Sequence, residues 1–154
     1  MLKIEEIPKK EIALIRELWE QLNKLHEKDS TYFKDHFKNF TFEKRCEAFA
    51  DVPDENFKIL IARENSKIVG YCISSVKNFT GEIESIMIDN KYQKKGTGRA
   101  FIVKSKEWFR TKKCSKVIVS VASGHDDVYK FYEKMGFYPR LICFELKDTA
   151  VTGN

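Results

Sequence analysis

The strongest constraint on the fold is a strand, a short loop with glycines, a helix and a second strand in direct succession. Gly81 to Asp89 is predicted as a strand. A helix is predicted to begin near Gly98, and its apolar residues stack on one face. Val117 to Val121 is a β-branched run typical of a buried strand. Such a crossover within one sheet is right-handed and makes its two strands parallel. This half of the chain therefore predicts an α/β fold.

The other strand patterns are separated by turns or lie near the ends of the chain. Phe57 to Arg63 and Ile68 to Val76 are β-rich runs around a predicted turn at Asn65-Ser66, and together they predict a hairpin. Leu2 to Ile7 alternates apolar and charged residues and predicts a short strand. Leu141 to Leu146 is predicted as a last strand. Most neighbouring strands are therefore expected to pair antiparallel.

Apolar residues at helical spacing predict the helices. The first helix opens at Pro8 and carries one apolar stripe, formed by Ile12, Ile15, Leu18, Trp19, Leu22 and Leu25. Residues 29–51 predict one or two further helices, and a short helix from about residue 128 ends at Gly136. The elements predict one α/β domain over residues 1–154, with a single mixed, mostly antiparallel sheet and helices on both faces.

The composition fits one globular domain. The chain has 154 residues, of which 42% are hydrophobic and 13% aromatic. It contains no run of about 18 apolar residues, so no membrane span is expected. The N-terminal residues lack the apolar core of a secretory signal, and the four cysteines lack metal-ligand spacing. We therefore expect a cytoplasmic protein with reduced thiols, no bound metal and no membrane partner.

Positive charge is concentrated in one segment. The net charge is +5, and residues 91–116 contain ten basic side chains against one acidic side chain, Glu107. A field of this kind attracts polyanions, which include a phosphorylated cofactor, nucleic acid and an anionic membrane surface. The charges do not interleave with aromatic residues as in a nucleic-acid platform, so no nucleic-acid partner is expected.

A candidate anion-binding loop lies within this segment, at Tyr92 to Ala100. Gly96 and Gly98 allow backbone N–H groups to point into one concavity, and the helix that follows adds its positive dipole end. Such a site binds a pyrophosphate with little need for side chains. The loop lacks the Gly-Lys-Ser/Thr ending of a Walker loop and the third glycine of a dinucleotide fingerprint.

Two motifs resemble those of the GNAT superfamily of N-acetyltransferases. Gln93-x-x-Gly96-x-Gly98 is similar to its Gln/Arg-x-x-Gly-x-Gly/Ala signature, and Ile86 to Asp89 is similar to the end of its fourth strand. Val128 to Phe137 resembles the second cofactor motif of the family, which ends in aromatic-Tyr-Glu-Lys-x-Gly-Phe. The spacing between the two motifs suits one helix plus one strand.

The resemblance implies an acetyl-CoA-dependent N-acetyltransferase with a splayed central strand pair, opened by a bulge to admit the pantetheine arm of the donor. A backbone N–H near Met87 or Ile88 would serve as an oxyanion donor. The residues implied in holding acetyl-CoA lie on the fourth strand, the loop and the second motif: Ile86, Met87, Ile88, Gln93, Lys94, Lys95, Gly96, Thr97, Gly98, Arg99, His125 and Phe131.

The resemblance also implies an acid and a base. Tyr132 matches the tyrosine that protonates the departing CoA thiolate, a step that a phenol with a pKa near ~10 can perform. An alkylamine is mostly protonated at pH 7, so a base, usually acting through water, is expected. Glu84 is preferred for this role and Glu82 is the alternative, because GNAT branches carry a glutamate at either place.

Two features depart from the family pattern. The family often has Asn and Ala where this chain has His125 and Val128, so His125 is predicted either to contact the cofactor arm or to cap the short helix beside Asp126 and Asp127. Many members have two strands after the tyrosine helix, whereas this chain ends soon after one. The last strand is therefore expected to be missing or to be supplied by the partner in a homodimer.

The acceptor amine is left open. The helices before the sheet usually line the acceptor site in this family, and here they carry acidic residues that would suit a cationic amine: Glu43, Glu47, Asp51, Asp54 and Glu55. A small-molecule amine is the leading acceptor, and a peptide amine at a protein N-terminus or a lysine is the alternative. A catalytically silent acyl-CoA-binding regulatory domain is a further alternative.

Overall fold

A five-stranded sheet forms the centre of the protein, and the computed structural model describes residues 2–147. The strands are β1 (Leu2–Ile7), β2 (Phe57–Glu64), β3 (Lys67–Lys77), β4 (Thr80–Ile88) and β5 (Lys116–Val119). They lie side by side in chain order, with antiparallel pairing from β1 to β4 and parallel pairing of β4 with β5. The predicted mixed, mostly antiparallel sheet is confirmed.

Helices cover both faces of this sheet. Three precede β2, namely α1 (Arg16–Asp29), α2 (Lys34–Asn39) and α3 (Phe42–Phe49). The fourth, α4 (Thr97–Thr111), connects β4 to β5, and α5 (Tyr129–Lys134) follows β5. Of the helices within residues 2–147, none is both long enough and apolar enough to cross a bilayer.

The sheet separates two apolar cores. On the first face, Trp19 of α1 and Phe42 and Phe49 of α3 pack with buried residues of β2 and β3 such as Ile61 and Ile73. On the second face, the α4 and α5 side chains form a core with other strand residues, including Phe101, Ile102, Phe109, Tyr132, Cys72 and Ile83. Because side chains alternate between the two faces of a strand, the same strands supply both cores with alternate residues.

The pairing of β4 with β3 is interrupted at Glu84. Ser85 lies opposite Ile73, whereas Ile83 lies opposite Ser74, so Glu84 is an extra residue in β4. This arrangement is a β-bulge, which bends the strand and re-aims the side chains around it.

The parallel pairing of β4 with β5 ends beside the bulge. The last paired residues are Ile83 and Val119, although β4 continues to Ile88. From residue 84 onward the two strands therefore separate. The predicted splay of the central strand pair is confirmed, and it opens a groove between them.

The predicted last strand at Leu141 to Leu146 is wrong for a single copy of the chain. These residues form no strand in the described structure and are exposed. A strand needs a hydrogen-bonded neighbour, and within residues 2–147 the outer edge of β5 is unpaired. The apolar pattern indicates a tendency to extend, but it does not supply the partner.

The first helix also begins later than predicted. Lys9–Ile15 forms a 3₁₀ segment with non-helical backbone angles at Glu11, and the α-helix starts only at Arg16. This tighter winding places Ile15 fully inside the first core. β5 is likewise shorter than its sequence pattern, since it ends at Val119.

Candidate active site

The glycine loop has the geometry of an anion cradle. Gly96 has φ of +87°, in the left-handed region, and it is the residue before α4. A Cβ at Gly96 would meet no atom within 4 Å, so the surrounding space is open. Lys94 also has a positive φ, of 61°. Two left-handed residues so close together turn successive backbone N–H groups toward one side.

Free donors occur at the start of α4. The first intrahelical hydrogen bond runs from the Ala100 N–H to the Gly96 carbonyl at 3.0 Å. The N–H groups of residues 97–99 come before this bond in the chain, so they have no carbonyl acceptor within the helix. They lie at the positive end of a 15-residue helix, with the exposed side chains of Lys94, Lys95 and Arg99 nearby in sequence. A pyrophosphate fits this arrangement.

Gln93 and Gly98 fix the loop against its neighbours. The Gln93 amide donates to the Ile88 carbonyl at 2.8 Å, which ties the loop to the end of β4. A Cβ at Gly98 would lie 3.3 Å from both Ile88 and Phe131, so glycine permits the close approach of α4, β4 and α5. Phe131 is thereby held beside the loop, where its ring packs over the start of α4.

The groove between β4 and β5 lies next to this loop. On the side of β4 away from β3, Ile86, Met87 and Ile88 face no strand in the described structure. Ile86 and Ile88 pack on the α4 and α5 side of the sheet, whereas Met87 packs on the α1 side. Apart from the Ile88 carbonyl, which Gln93 holds, the backbone groups of this stretch that point away from β3 could pair with a ligand that adds itself as a strand.

Tyr132 lies on α5 in the same core as Ile86 and Ile88. Its ring contacts Phe131 and Phe137 edge-on, with centroids 5.2 and 6.0 Å away. Burial, and to a lesser degree the nearby Cys72 thiol, raises the pKa of Tyr132 to about 12. The phenol therefore stays protonated at neutral pH and is chemically a proton donor.

Glu84 is held by donors on both carboxylate oxygens. Ser75 of β3 donates to Oε2 at 2.6 Å, and Arg45 of α3 donates to Oε1 at 3.2 Å. Arg45 also donates to the Glu84 backbone carbonyl at 2.9 Å and stacks over Phe49 at 4.4 Å. The Glu84 side chain is only 10% exposed. Both oxygens of the Glu84 carboxylate are therefore already occupied by donors.

Glu82 shares this face of the sheet but is differently placed. It lies opposite Ser75 in the β3–β4 register, and cross-strand partners project to the same face. Among the described residues its carboxylate forms no hydrogen bond and no ion pair. Burial raises its pKa, and the neighbouring Glu84 charge raises it further. The structure therefore places both predicted bases on one face of the sheet, and of the two only Glu84 receives hydrogen bonds from the described residues.

A cavity of about 160 Å³ adjoins Glu84 and Ser85 on the α1 side of the sheet. Its walls are mainly aromatic and neutral, formed by Trp19, Leu22, Asn23, His26, His36, Phe37 and Phe40, together with Arg45. The expected acidic acceptor pocket stays a prediction. The five carboxylates that suggested it are exposed and do not line this cavity, and Glu43 pairs instead with Arg16 at 2.8 Å.

His125 is buried against α1. Its Nε2 lies 3.2 Å from Asp29 Oδ2, without hydrogen-bond geometry, and its ring centroid is 4.7 Å from that of His26. Its side chain makes no capping hydrogen bond to the short helix. A Cβ at Gly124 would lie 2.5 Å from the Asp29 carbonyl, so this loop approaches α1 closely. The predicted contact of His125 with the cofactor arm stays a prediction.

Sequence reasoning missed four residues of the site region. Arg45 and Ser75 hold Glu84, and His26 and Asp29 surround His125. None of them belongs to a motif. The one signal available was the helical position of Arg45 among apolar neighbours, which places a cation beside the core.

The chain belongs to the GNAT acetyltransferase family, because a model of that family matches residues 14–137. Its fold is shared by solved structures. A mutant of the BH1408 protein from Bacillus halodurans has a TM-score of 0.73 and 17% identity, and the match covers 94% of this chain and 98% of that one.

Two further structures are described with bound molecules. The PaiA N-acetyltransferase from Thermoplasma acidophilum, in complex with coenzyme A, has a TM-score of 0.71 and 15% identity over 90% of each chain. An aminoglycoside acetyltransferase from an uncultured soil metagenomic sample, in complex with sisomicin, has a TM-score of 0.69 and 19% identity, covering 94% of this chain and 95% of that one. At these identities the likeness concerns the fold.

Proposed function

We propose that the protein transfers the acetyl group of acetyl-CoA to a primary amine by direct attack. The observation that carries this proposal is the end of the β4–β5 pairing at the Glu84 bulge, together with the anion cradle at Gly96 in the loop that follows β4. A donor with a pyrophosphate at one end and an amide-containing arm fits this layout. The N–H groups of residues 94–99 would hold the pyrophosphate, and the β4 edge would pair with the arm.

Acetyl-CoA supplies the activated acyl group and a thiol leaving group. We assign to the backbone N–H of Met87 or Ile88 the hydrogen bond to the oxygen that becomes negatively charged during attack. A preorganised backbone donor costs no reorganisation when this charge develops. We assign to Tyr132 the proton that the leaving sulfur requires, because its phenol is protonated at neutral pH and its ring lies in the core beside β4.

The acceptor amine must lose a proton before it can attack. We assign this proton to Glu82, directly or through one water. Its raised pKa makes it a better base than an ordinary glutamate, and it has no competing donor among the described residues. Glu84, with donors on both oxygens, shapes the bulge and the electrostatics beside it. This reverses the preference drawn from the sequence.

The cavity next to Glu84 favours a small-molecule acceptor over a peptide. It is compact, at about 160 Å³, and α1, α2 and β4 contribute to its walls. Its one carboxylate is compensated by Arg45, so a compact amine with an apolar group fits it better than a polycation.

The first test is thermal stability with acetyl-CoA, CoA and ATP. A ligand at ~100 times its Kd stabilises the fold by about 2.7 kcal/mol, which is readily measured. Stabilisation by acetyl-CoA and CoA but not ATP, followed by thiol release with an amine panel, supports the proposal. Binding of acetyl-CoA without turnover on any amine would favour the silent regulatory domain.

A variant sharpens this test. Gly96→Glu places a carboxylate and a strained backbone in the anion cradle, so it should remove the stabilisation by acetyl-CoA. Gly136→Glu makes the same change at another left-handed residue, with φ of +93°, outside the loop. If both variants respond to acetyl-CoA like the natural chain, the loop does not hold the donor.

A further inference from the structure

Arg45 keeps hydrogen-bond donors free after it has paired with Glu84. Both of its hydrogen bonds to Glu84 leave from one nitrogen, Nη2, at 3.2 Å to the carboxylate and 2.9 Å to the backbone carbonyl. The Arg45 Nε and Nη1 donate to no described residue, and the side chain is 22% exposed. The N–H groups of a guanidinium form a rigid fork that matches the two oxygens of a carboxylate. A second carboxylate can therefore bind here.

Arg45 also forms part of the wall of the cavity of about 160 Å³ beside the bulge. Among the described residues that line this cavity, only Arg45 and Glu84 carry a permanent charge. Burial, and secondly the nearby His125, lowers the pKa of His26 to about 4, so this imidazole of the wall is neutral at pH 7. A ligand in the cavity therefore meets one cation with unused donors, which favours an anionic group on the ligand.

We propose that Arg45 binds the carboxylate of the acceptor, and that the acceptor is an α-amino acid with a large apolar side chain. This inference rests on the proposed acetyl transfer and names its substrate class. In an α-amino acid, the amine nitrogen is only two bonds from the carboxylate carbon. A carboxylate on Arg45 therefore places the amine next to Glu84, at the bulge where β4 leaves β5 and beside the β4 edge to which we assign the donor.

The size and walls of the cavity select the side chain of this acceptor. An apolar cavity of about 150 Å³ holds a benzene ring, so this cavity has room for a phenyl ring or a branched aliphatic group. Trp19, Phe37 and Phe40 supply apolar walls. The Asn23 amide of α1 donates to the backbone carbonyls of Phe37 and Phe40 at 2.7 and 3.1 Å. These bonds hold α2 against α1, so the shape of the cavity is fixed before a ligand enters.

The transfer balances with this acceptor. The amine nitrogen attacks the thioester carbon, a C–N bond forms and the C–S bond breaks, which gives an N-acetylated amino acid and the thiol of CoA. The amine proton goes to Glu82, and the leaving thiolate takes a proton from Tyr132, as proposed above. A simple amine offers nothing to the free donors of Arg45. Displacing water from these donors without replacing its hydrogen bonds loses affinity, so the site discriminates in favour of the amino acid.

The first experiment compares three acceptors by thiol release from acetyl-CoA. We expect the natural protein to favour L-phenylalanine over 2-phenylethylamine, which lacks the carboxylate, by about 10- to 100-fold in kcat/KM. Glycine, which lacks the side chain, should be poorer than L-phenylalanine by about tenfold or more. Equal or faster reaction of either comparison compound overturns the inference and leaves the proposed function standing. A protein that acetyl-CoA does not stabilise overturns both.

The second experiment repeats the comparison with Arg45→Met. Because Arg45 also holds the bulge, its loss should slow both acceptors, but the kcat/KM ratio of L-phenylalanine to 2-phenylethylamine should fall a further 10- to 100-fold, or about that. The ratio cancels structural damage and the difference in basicity between the two amines. Lys44→Met, an exposed neighbour on the same helix, should keep the natural ratio. An unchanged ratio in a folded Arg45→Met protein overturns the carboxylate site.

The third experiment needs no variant. 3-Phenylpropanoate keeps the ring and the carboxylate of L-phenylalanine but has no amine to react. It should compete with L-phenylalanine on the natural protein saturated with acetyl-CoA. Its uncharged amide, 3-phenylpropanamide, should inhibit about tenfold or more weakly, because a charged hydrogen bond to Arg45 is lost. Equal inhibition constants for the acid and the amide, or no inhibition by the acid, would show that Arg45 does not hold an acceptor carboxylate.

Discussion

Arg45 and Glu84, 39 residues apart in sequence, are joined by two hydrogen bonds from one guanidinium nitrogen. One reaches the Glu84 carboxylate at 3.2 Å, and the other reaches its backbone carbonyl at 2.9 Å. The second bond holds the main chain of the bulge itself. Arg45 therefore links α3 to the point at which β4 leaves β5.

Replacing Arg45 with Met should destabilise the fold by about 1–3 kcal/mol, because the mostly buried Glu84 carboxylate would retain only its Ser75 partner. The free energy of unfolding in urea measures this. Lys44→Met, an exposed neighbour on the same helix, is the control and should change it by less than about 0.5 kcal/mol. Equal stability of the two variants would mean that the pair contributes nothing to the bulge.

Replacing Tyr132 with Phe should lower kcat by about 10²–10⁴-fold while acetyl-CoA affinity stays nearly unchanged, because only the proton donor is lost. Tyr129→Phe removes a hydroxyl from a more exposed residue of the same helix and should leave kcat unaltered. Turnover by thiol release and affinity by calorimetry separate the two effects. Natural turnover in Tyr132→Phe would remove this residue from the mechanism.

Local chemistry explains which parts of the site could be read from the sequence. The loop from Gln93 to Gly98 acts through backbone conformation and a helix start, both of which are encoded by adjacent residues. The hairpin of β2 and β3 and the parallel crossover from β4 to β5 followed from turn positions and from the crossover rule. The contact of Arg45 with Glu84 and the packing of His125 on His26 join distant segments, and neither has a local signature.

The segment at 141–146 illustrates the opposite limit. Its run of apolar residues predicts a strand, but a strand needs a hydrogen-bonded neighbour, and residues 141–146 pair with none in the described structure. The residue preferred as the base also changed, from Glu84 to Glu82, for a structural reason. Glu82 and Glu84 look equivalent in sequence, but Ser75 and Arg45 donate hydrogen bonds only to the carboxylate of Glu84.

Replacing Glu82 with Gln should lower kcat/KM and abolish its fall at acidic pH. With Glu82 as the proposed base, activity requires its ionised carboxylate, so activity should be lost as the pH drops through the raised pKa of Glu82. The pH profile of thiol release over the acidic range measures this, with Glu84→Gln as the comparison. Loss of the acidic limb in Glu84→Gln, and its retention in Glu82→Gln, would exchange the two roles.

His26 should make the folded state sensitive to acid. Burial, and secondly the neighbouring His125, lower its pKa from 6.5 to about 4, while Asp29 opposes this shift. The unfolded chain then binds a proton more readily than the folded chain between these values, so stability falls as the pH drops from about 6.5 to about 4. His26→Gln cannot be protonated and should flatten this dependence by up to about 2 kcal/mol, allowing for partial solvent screening. Urea midpoints at pH 7 and pH 4.5 measure the difference, and the exposed His36→Gln variant should keep the natural slope. If His26→Gln loses as much stability on acidification as the natural chain, the acid-sensitive group lies elsewhere.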